Sequence, residues 1–161
     1  MRTYKAAGRP IVYVDESGFA NEMPRTHGYT PRGQRCYGIY DWQAKGRTNV
    51  IGALLGKELL ATSLFETPIN RSIFSSWFTQ DLLPKVPKNS VIVLDNATFH
   101  KDLDLQAPLQ KSSVTLEYLA PYSPDLNPIE KKWAQLKSIR RKLQCSVNFL
   151  FFLTEFLFNQ Y

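Results

Sequence analysis

The sequence has few of the residues from which disulfide frameworks, zinc sites and membrane spans are built. Its 161 residues include two cysteines, Cys36 and Cys145, and two histidines. Two cysteines so far apart do not indicate a disulfide framework or a zinc site, so we expect free thiols in a reducing compartment. The apolar tail from Phe149 to Phe158 has about half the length needed to cross a bilayer. No signal peptide precedes the first predicted strand, so we expect a cytoplasmic protein without a membrane anchor.

Internal repeats, low-complexity segments and clear domain boundaries are also missing. The length suits one domain, and 43% of the residues are hydrophobic. Lysine and arginine outnumber the acids and give a formal net charge of +6. A basic balance favours an anionic partner such as nucleic acid, although many basic proteins bind none. We expect a single domain over residues 1–161, with a core at about 10–143 and an apolar C-terminal tail at 144–161.

Two short apolar runs each end in an aspartate. Val91–Leu94 leads into Asp95, and Ile11–Val14 leads into Asp15. Such runs are typical of strands that are buried on both faces, and open α/β sheets place their chemistry at the carboxyl ends of these strands. If the two strands are parallel neighbours, the carboxylates lie side by side and repel unless a cation neutralises them. The pair therefore indicates a divalent-metal site.

The order of the other predicted elements completes an α/β fold. Residues 17–46 are predicted to be a long excursion, with a short strand at 35–40. The remaining elements are a hairpin at 47–55 and 58–65, a helix capped by Asn70 and ended by Pro84, a weak helix at 101–110, a strand at 114–119 and a final helix. This order predicts a ribonuclease H-like mixed five-stranded sheet flanked by helices.

A stiff loop leads into the final helix. Asn127 suits the N-cap, Pro128 the first helical position, and Glu130 falls at the third. Glu130 could therefore be a capping-box acid that bonds the Asn127 amide, or a metal ligand, and both interpretations place it at the helix start. Asp125 is a rival acid, but it precedes the helix and is better suited to shaping the turn. The predicted buried stripe of this helix is Ile129, Trp133, Leu136, Ile139 and Leu143.

Three segments together form a recognisable signature. They are Val14-Asp15-Glu16-Ser17, Leu94-Asp95-Asn96-Ala97-Thr98-Phe99-His100-Lys101 and Ala120-Pro121-Tyr122-Ser123-Pro124-Asp125-Leu126-Asn127-Pro128-Ile129-Glu130. This signature resembles the catalytic domain of mariner-like DDE transposases, and most closely their bacterial insertion-sequence branch. The resemblance covers roughly residues 10–143, and the interval from Asp95 to Glu130 is the one that this branch uses between its second and third acids.

The resemblance implies an enzyme that cleaves and joins DNA strands. Asp15, Asp95 and Glu130 would be the catalytic residues and would hold two Mg²⁺ ions, for which Mn²⁺ can substitute. Hard oxygen ligands suit Mg²⁺, and two such ions serve in-line displacement at phosphorus. Water and then a DNA 3′-hydroxyl would be the nucleophiles. The implied partners are transposon-end and target DNA and further copies of the chain assembled on DNA, in the bacterial cytoplasm.

Several neighbours of the three acids are candidates for supporting roles. Asn96, His100 and Asn127 could support the ligands, although His100 is equally well explained as a surface histidine. Glu16 should point to the opposite face from Asp15 by strand alternation, so it ranks below Asp15 as a ligand. A basic run in the final helix could be a solvated face, but beside a phosphate-processing site we favour contact with the DNA backbone. Its members are Lys131, Lys132, Lys137, Arg140, Arg141 and Lys142.

Two features depart from the family pattern. No segment before Ile11 could form the helix-turn-helix module that relatives carry for DNA recognition, and the tail is more apolar than the expected amphipathic final helix. Both features favour a split-frame product, a fragment or a decayed copy. The alternative function is therefore a catalytically idle remnant that binds DNA or full-length transposase. A ribonuclease H-type nuclease of RNA–DNA hybrids would share the fold but not the proline-rich third segment.

Overall fold

The computed structural model describes residues 2–21, 31–35, 46–95, 105, 109, 112–120 and 126–158. A short helix α1 (Arg2–Ala6) precedes strand β1 (Ile11–Ala20). The other elements are β2 (Arg47–Leu55), β3 (Glu58–Phe65), α2 (Arg71–Trp77), β4 (Val91–Leu94), β5 (Thr115–Tyr118), α3 (Pro128–Leu143) and α4 (Val147–Phe158).

The strands form one mixed sheet in the order β3-β2-β1-β4-β5. Strands β1, β2 and β3 pair in antiparallel fashion, whereas β4 lies parallel to β1 and β5 lies parallel to β4. The predicted mixed five-stranded sheet flanked by helices is thereby confirmed.

Strand β1 is longer than the sequence predicted. It runs through Asp15 to Ala20, because β2 pairs with it from Val12 opposite Leu55 to Ala20 opposite Arg47. The parallel pairing with β4 spans only Ile11 to Tyr13. Asp15 therefore lies inside a strand on its β2 side, but beyond the last described pairing on its β4 side.

Each face of the sheet carries its own core. On one face Tyr13 and Val93 pack with Trp133 and Leu136 of α3. On the other face the apolar side chains of α2 and the turn after it pack on β1, β2 and β4; they include Phe74, Trp77, Phe78 and Leu82. The alternation of side chains along β1 assigns Tyr13 and Asp15 to the α3 face and Val12 and Val14 to the α2 face.

Helix α2 begins as predicted. The Asn70 side chain accepts a hydrogen bond from the Ile73 N–H at 2.9 Å, which satisfies one of the unpaired N–H groups at the helix start. After Trp77 the chain continues as a π-helix (Phe78–Leu82) and a 3₁₀ turn (Leu83–Lys85). The helical segment thus ends at the turn that contains Pro84, since proline cannot donate the backbone bond that would continue it.

The C-terminal tail is part of the core. Val147, Leu150 and Phe151 of α4 are buried in the cluster that contains Trp133, whereas Phe149 and Phe152 are 50% and 61% exposed. The core therefore extends beyond residue 143, where the sequence suggested that it ended. An apolar composition is explained by one buried face and an exposed aromatic face on the same helix.

Three predicted features fall largely or wholly outside the described residues. The helix expected at 101–110 is represented by Leu105 and Leu109, whose N–H donates to the Leu105 carbonyl at 3.1 Å. The strand expected at 35–40 lies outside them except for Arg35, and Asp125 is also outside. Within the part of the chain that is described, no helix is long and apolar enough to cross a membrane.

Candidate active site

Continued past its last described pair, the register of β1 and β4 predicts that the first two acids are level with each other. Tyr13 of β1 pairs with Val93 of the parallel strand β4. Two residues further along each chain are Asp15 and Asp95, which follows the last residue of β4. Residues that are level on adjacent parallel strands project from the same face of the sheet, with neighbouring backbones about 4.8 Å apart. By this continuation Asp95 is expected on the α3 face, where the alternation along β1 places Asp15.

Asp15 is buried and held by two hydrogen bonds. Its side chain is 8% exposed, and the Trp133 Nε1–H donates to its Oδ2 atom at 3.0 Å. The backbone N–H of Glu16 is a second donor to the carboxylate. A carboxylate has about four lone-pair positions, so the two bonds leave acceptor capacity for a cation.

Glu130 lies at the start of α3, one turn before Trp133. Its backbone N–H donates to the Asn127 carbonyl at 3.2 Å, so Asn127 stands at the N-cap position as predicted. The Asn127 side chain makes no capping hydrogen bond, and its buried Oδ1 atom has no hydrogen-bond partner among the described residues. Those residues also show no bond from the exposed Glu130 carboxylate to the Asn127 amide, so the capping-box interpretation gains no support here.

The charges of Glu130 and Asp95 both influence the ionisation of Asp15. The pKa of Asp15 is raised to about 7, first by burial and then by the charges of Glu130 and Asp95, against the lowering effect of the two hydrogen bonds. A carboxyl group with this environment resists ionisation unless a positive charge compensates it. The buried, unpaired Oδ1 of Asn127 is a further hard oxygen at the same helix start.

The donor atoms of these residues are of the type that binds a divalent cation. Carboxylate and amide oxygens are the donors that Mg²⁺ prefers, and a cation would relieve the repulsion that raises the Asp15 pKa. In geometry, the described part of the chain contains no group of three histidine, cysteine, aspartate or glutamate side chains that could together hold a metal ion. Asn96 and His100 lie outside the described residues.

The basic residues of α3 divide by exposure. Lys131, Arg141 and Lys142 are exposed. Lys132 is half-buried, its ammonium donates to the Lys57 carbonyl at 3.2 Å, and burial lowers its pKa. Lys137 is also half-buried, with its ammonium 5.3 Å from the centre of the Phe19 ring.

Arg140 differs from the prediction of a DNA contact. Its side chain is 6% exposed, because its guanidinium donates to the backbone carbonyls of Ala20, Asn21 and Cys145. The residue fastens α3 to the end of β1 and to the turn before α4. Leu143, which the sequence placed in the buried stripe, is instead 54% exposed at the end of the helix.

Two features of the site were not predicted from the sequence. They are the hydrogen bond from Trp133 to Asp15 and the close approach of the Trp133 ring to Gly52. The spacing of Trp133 along α3 is that of a core residue, so the sequence predicts only that it is buried. Gly52 lies opposite Asp15 in β2, and a Cβ atom there would stand 2.4 Å from Cη2 of Trp133. A glycine inside a strand pattern often marks such a close approach, and this signal was available in the sequence.

A sequence model of the family described as "DDE superfamily endonuclease" matches residues 10–148. The chain belongs to this family of endonucleases. No curated protein sequence matches the chain.

Solved structures with the same fold include several of Mos1 transposase. The chain superposes on the Mos1 transposase paired-end complex with left transposon end with a TM-score of 0.66 and 19% identity, over 86% of this chain and 45% of the other. For the mariner Mos1 paired end complex with Mg the TM-score is 0.60 at 22% identity, over 79% and 41%. For the catalytic domain of Mos1 mariner transposase the values are 0.53 and 15%, over 85% and 65%.

These superpositions establish the ribonuclease H-like fold of the DDE endonuclease domain. The chain spans less than half the length of the Mos1 transposase in the first of these structures.

Proposed function

We propose that this chain is the catalytic domain of a mariner-like DNA transposase from the bacterial insertion-sequence branch. Membership of the DDE endonuclease family supports a phosphoryl-transfer enzyme. The observation that carries the proposal is that two other acids, Glu130 and Asp95, act electrostatically on the buried Asp15 carboxylate. The charges of Glu130, at the start of α3, and of Asp95, which follows β4, both raise the pKa of Asp15. Three acids from three elements whose charges act on one buried carboxylate suit a site that handles phosphates through cations.

The chain's own residues would perform three tasks in this reaction. Asp15, Asp95 and Glu130 would hold two Mg²⁺ ions, with Mn²⁺ as a substitute. When bound, such ions activate an attacking oxygen and stabilise the leaving one. The burial of Asp15 and its hydrogen bonds from Trp133 and Glu16 keep one carboxylate in a fixed orientation. The exposed basic residues of α3 would hold the phosphate backbone beside the acids.

Two displacements at phosphorus complete the proposed reaction. In the first, water attacks a phosphodiester, one P–O bond forms, the bond to the 3′ oxygen breaks, and a 3′-hydroxyl and a 5′-phosphate result. In the second, that 3′-hydroxyl attacks a phosphodiester of the target DNA and displaces the target's own 3′ oxygen. Each step exchanges one P–O bond for another, so no oxidant or covalent enzyme intermediate is needed.

The proposed partners follow from the family and from the structural neighbours. Mos1 transposase has been observed in a paired-end complex with its left transposon end and in a strand transfer complex. By analogy we propose that this chain acts on transposon ends and target DNA, as a homo-oligomer on DNA in the bacterial cytoplasm. A helix-turn-helix region outside this chain would then supply sequence recognition.

The second candidate is a catalytically idle DNA- or transposase-binding remnant. The observation in its favour is that no three potential ligands are gathered into a metal site within the described residues. The two candidates make the same prediction for DNA binding and opposite predictions for cleavage.

A strand-cleavage assay with the full chain separates these candidates. Labelled duplex DNA is incubated with Mg²⁺ or Mn²⁺, with an RNA–DNA hybrid in parallel. We expect metal-dependent nicking of the DNA by the wild type and its loss in Asp15→Ala, Asp95→Asn and Glu130→Gln. Asp81→Asn, an exposed acid after α2, is the matched control and should retain activity. DNA binding without nicking would favour the idle remnant, and preferential cleavage of the hybrid would favour a ribonuclease H-type nuclease.

A further inference from the structure

The indole of Trp133 is the only side-chain hydrogen-bond donor to Asp15 among the described residues. The bond joins α3 to β1, and both partners are buried, with Trp133 1% and Asp15 8% exposed. An indole N–H can donate but cannot accept, so it requires an oxygen such as the Asp15 carboxylate opposite it. The contact therefore has a definite polarity, with Trp133 as the donor and Asp15 as the acceptor.

Gly52 makes room for this indole. Gly52 is the β2 partner of Asp15, and a Cβ atom there would lie 2.4 Å from Cη2 and 2.9 Å from Cζ2 of Trp133. Real Cβ atoms do not approach other atoms so closely, so any larger residue would displace the ring. The backbone of Gly52 is not in the left-handed region, so the glycine serves close approach and not an unusual turn.

Two aromatic rings hold the indole from other directions. The Phe19 ring lies edge-on to Trp133 at 6.4 Å, and the Phe151 ring from α4 lies at 6.5 Å. Packing on several sides leaves the indole little freedom to change its rotamer. Its N–H is thereby aimed at Asp15 by the fold itself.

We propose that Trp133, seated on Gly52, is a positioning residue for the acidic site. It would fix the Asp15 carboxylate through the 3.0 Å hydrogen bond and hold the first turn of α3, which carries Glu130, against β1. This inference rests on the proposed function, because its consequence is the binding of a divalent cation by these acids. Partners that orient metal-binding carboxylates typically change metal affinity or activity by about 10–100-fold when they are removed.

The chain contains a matched control. Trp77 is also buried, at 3% exposure, but it lies on the α2 face, and its Nε1 atom has no hydrogen-bond partner among the described residues. Trp133→Phe and Trp77→Phe remove the same atoms from two buried tryptophans. Only the first substitution removes a hydrogen bond to Asp15.

The first experiment measures the affinity of the full chain for Mn²⁺ alone by calorimetry, with folding checked by circular dichroism. We expect Trp133→Phe to weaken Mn²⁺ binding by about 10-fold or more, and Trp77→Phe to leave it unchanged. Gly52→Ala, which displaces the indole, should reproduce the effect of Trp133→Phe. Wild-type affinity in Trp133→Phe would overturn this inference alone. Absence of Mn²⁺ binding by the wild type would overturn the proposed function and this inference with it.

A second experiment does not need the Trp133 variant to fold well. The indole N–H signals of the wild type and of Asp15→Asn are compared by ¹⁵N NMR without metal. We expect the Trp133 signal to move when its acceptor changes from a carboxylate to an amide, while the Trp77 signal stays in place. A Trp133 signal that is indifferent to Asp15→Asn would overturn the inference.

Discussion

At the scale of single residues, Asp15 is a buried acid whose ionisation is opposed by the negative charges of two other acids. Its pKa rises from 3.8 to about 7, first through burial and then through Glu130 and Asp95. Below pH 4 the carboxyl group is protonated in both the folded and the unfolded chain, so it does not affect stability. Between pH 4 and 7 the unfolded chain releases this proton while the folded chain keeps it, so the free energy of unfolding falls as the pH rises. Above pH 7 the loss is complete.

Asp15→Asn should therefore stabilise the metal-free protein at pH 8 and leave its stability nearly unchanged at pH 4. The gain is at most about 4 kcal/mol, since one pKa unit corresponds to about 1.4 kcal/mol. Urea unfolding at both pH values in the presence of a chelator measures it. Asp81→Asn is the control, because that acid is exposed. Equal pH dependence in the wild type and Asp15→Asn would contradict the assigned environment of Asp15.

At the scale of elements, α3 has a structural face and an exposed basic face. We define the exposed basic face as Lys131, Arg141 and Lys142. If this face binds the DNA backbone, each of the three alanine substitutions should reduce the slope of log affinity against log salt by about 0.9 on duplex DNA. Binding should also tolerate changes of sequence, because phosphate contacts carry no base information.

The measurement is a titration of labelled duplexes of unrelated sequence at several salt concentrations. Lys88→Ala is the matched control, since this exposed lysine precedes β4 and lies at the opposite end of that strand from Asp95. An unchanged slope in the variant with alanine at all three positions would mean that the exposed basic face of α3 contacts solvent and not DNA. Arg140→Ala should act differently and lower the free energy of unfolding, because it removes three partly buried hydrogen bonds that join α3 to β1 and to the turn before α4.

At the scale of the whole molecule, the site depends on a core that α4 completes. Phe151 lies edge-on to Phe19 at 5.5 Å and also contacts Trp133, so α4 supports the residue that reaches Asp15. Phe151→Ala should cost about 3–5 kcal/mol of unfolding free energy by leaving a cavity. Phe152→Ala, at a neighbouring position that is 61% exposed, should change it by less than about 0.5 kcal/mol.

Urea unfolding curves of the two phenylalanine variants test this view of the tail. Equal and small effects would mean that α4 contributes little to the stability of the core. Equal and large effects would mean that both faces of α4 are packed.

Local patterns in the chain were sufficient to predict most of the elements and to propose the three acids. β-Branched runs, the Asn70 cap and the proline stops act over a few residues, so the five strands and their order could be inferred without coordinates. The three acids followed from local motifs that resemble the family.

How these residues meet could be seen only in the folded chain. The level placement of Asp15 and Asp95 depends on strand register, and the Trp133–Asp15 bond joins residues 118 positions apart. The burial of Arg140 and the packing of α4 depend in the same way on which segments lie against each other. Such contacts leave no periodic signal along the chain, because the local sequence pattern around each residue does not depend on which distant residue it contacts. Gly52 was the one local signal, because a glycine within a strand often marks a close approach. Only the structure shows that the residue approaching it is Trp133.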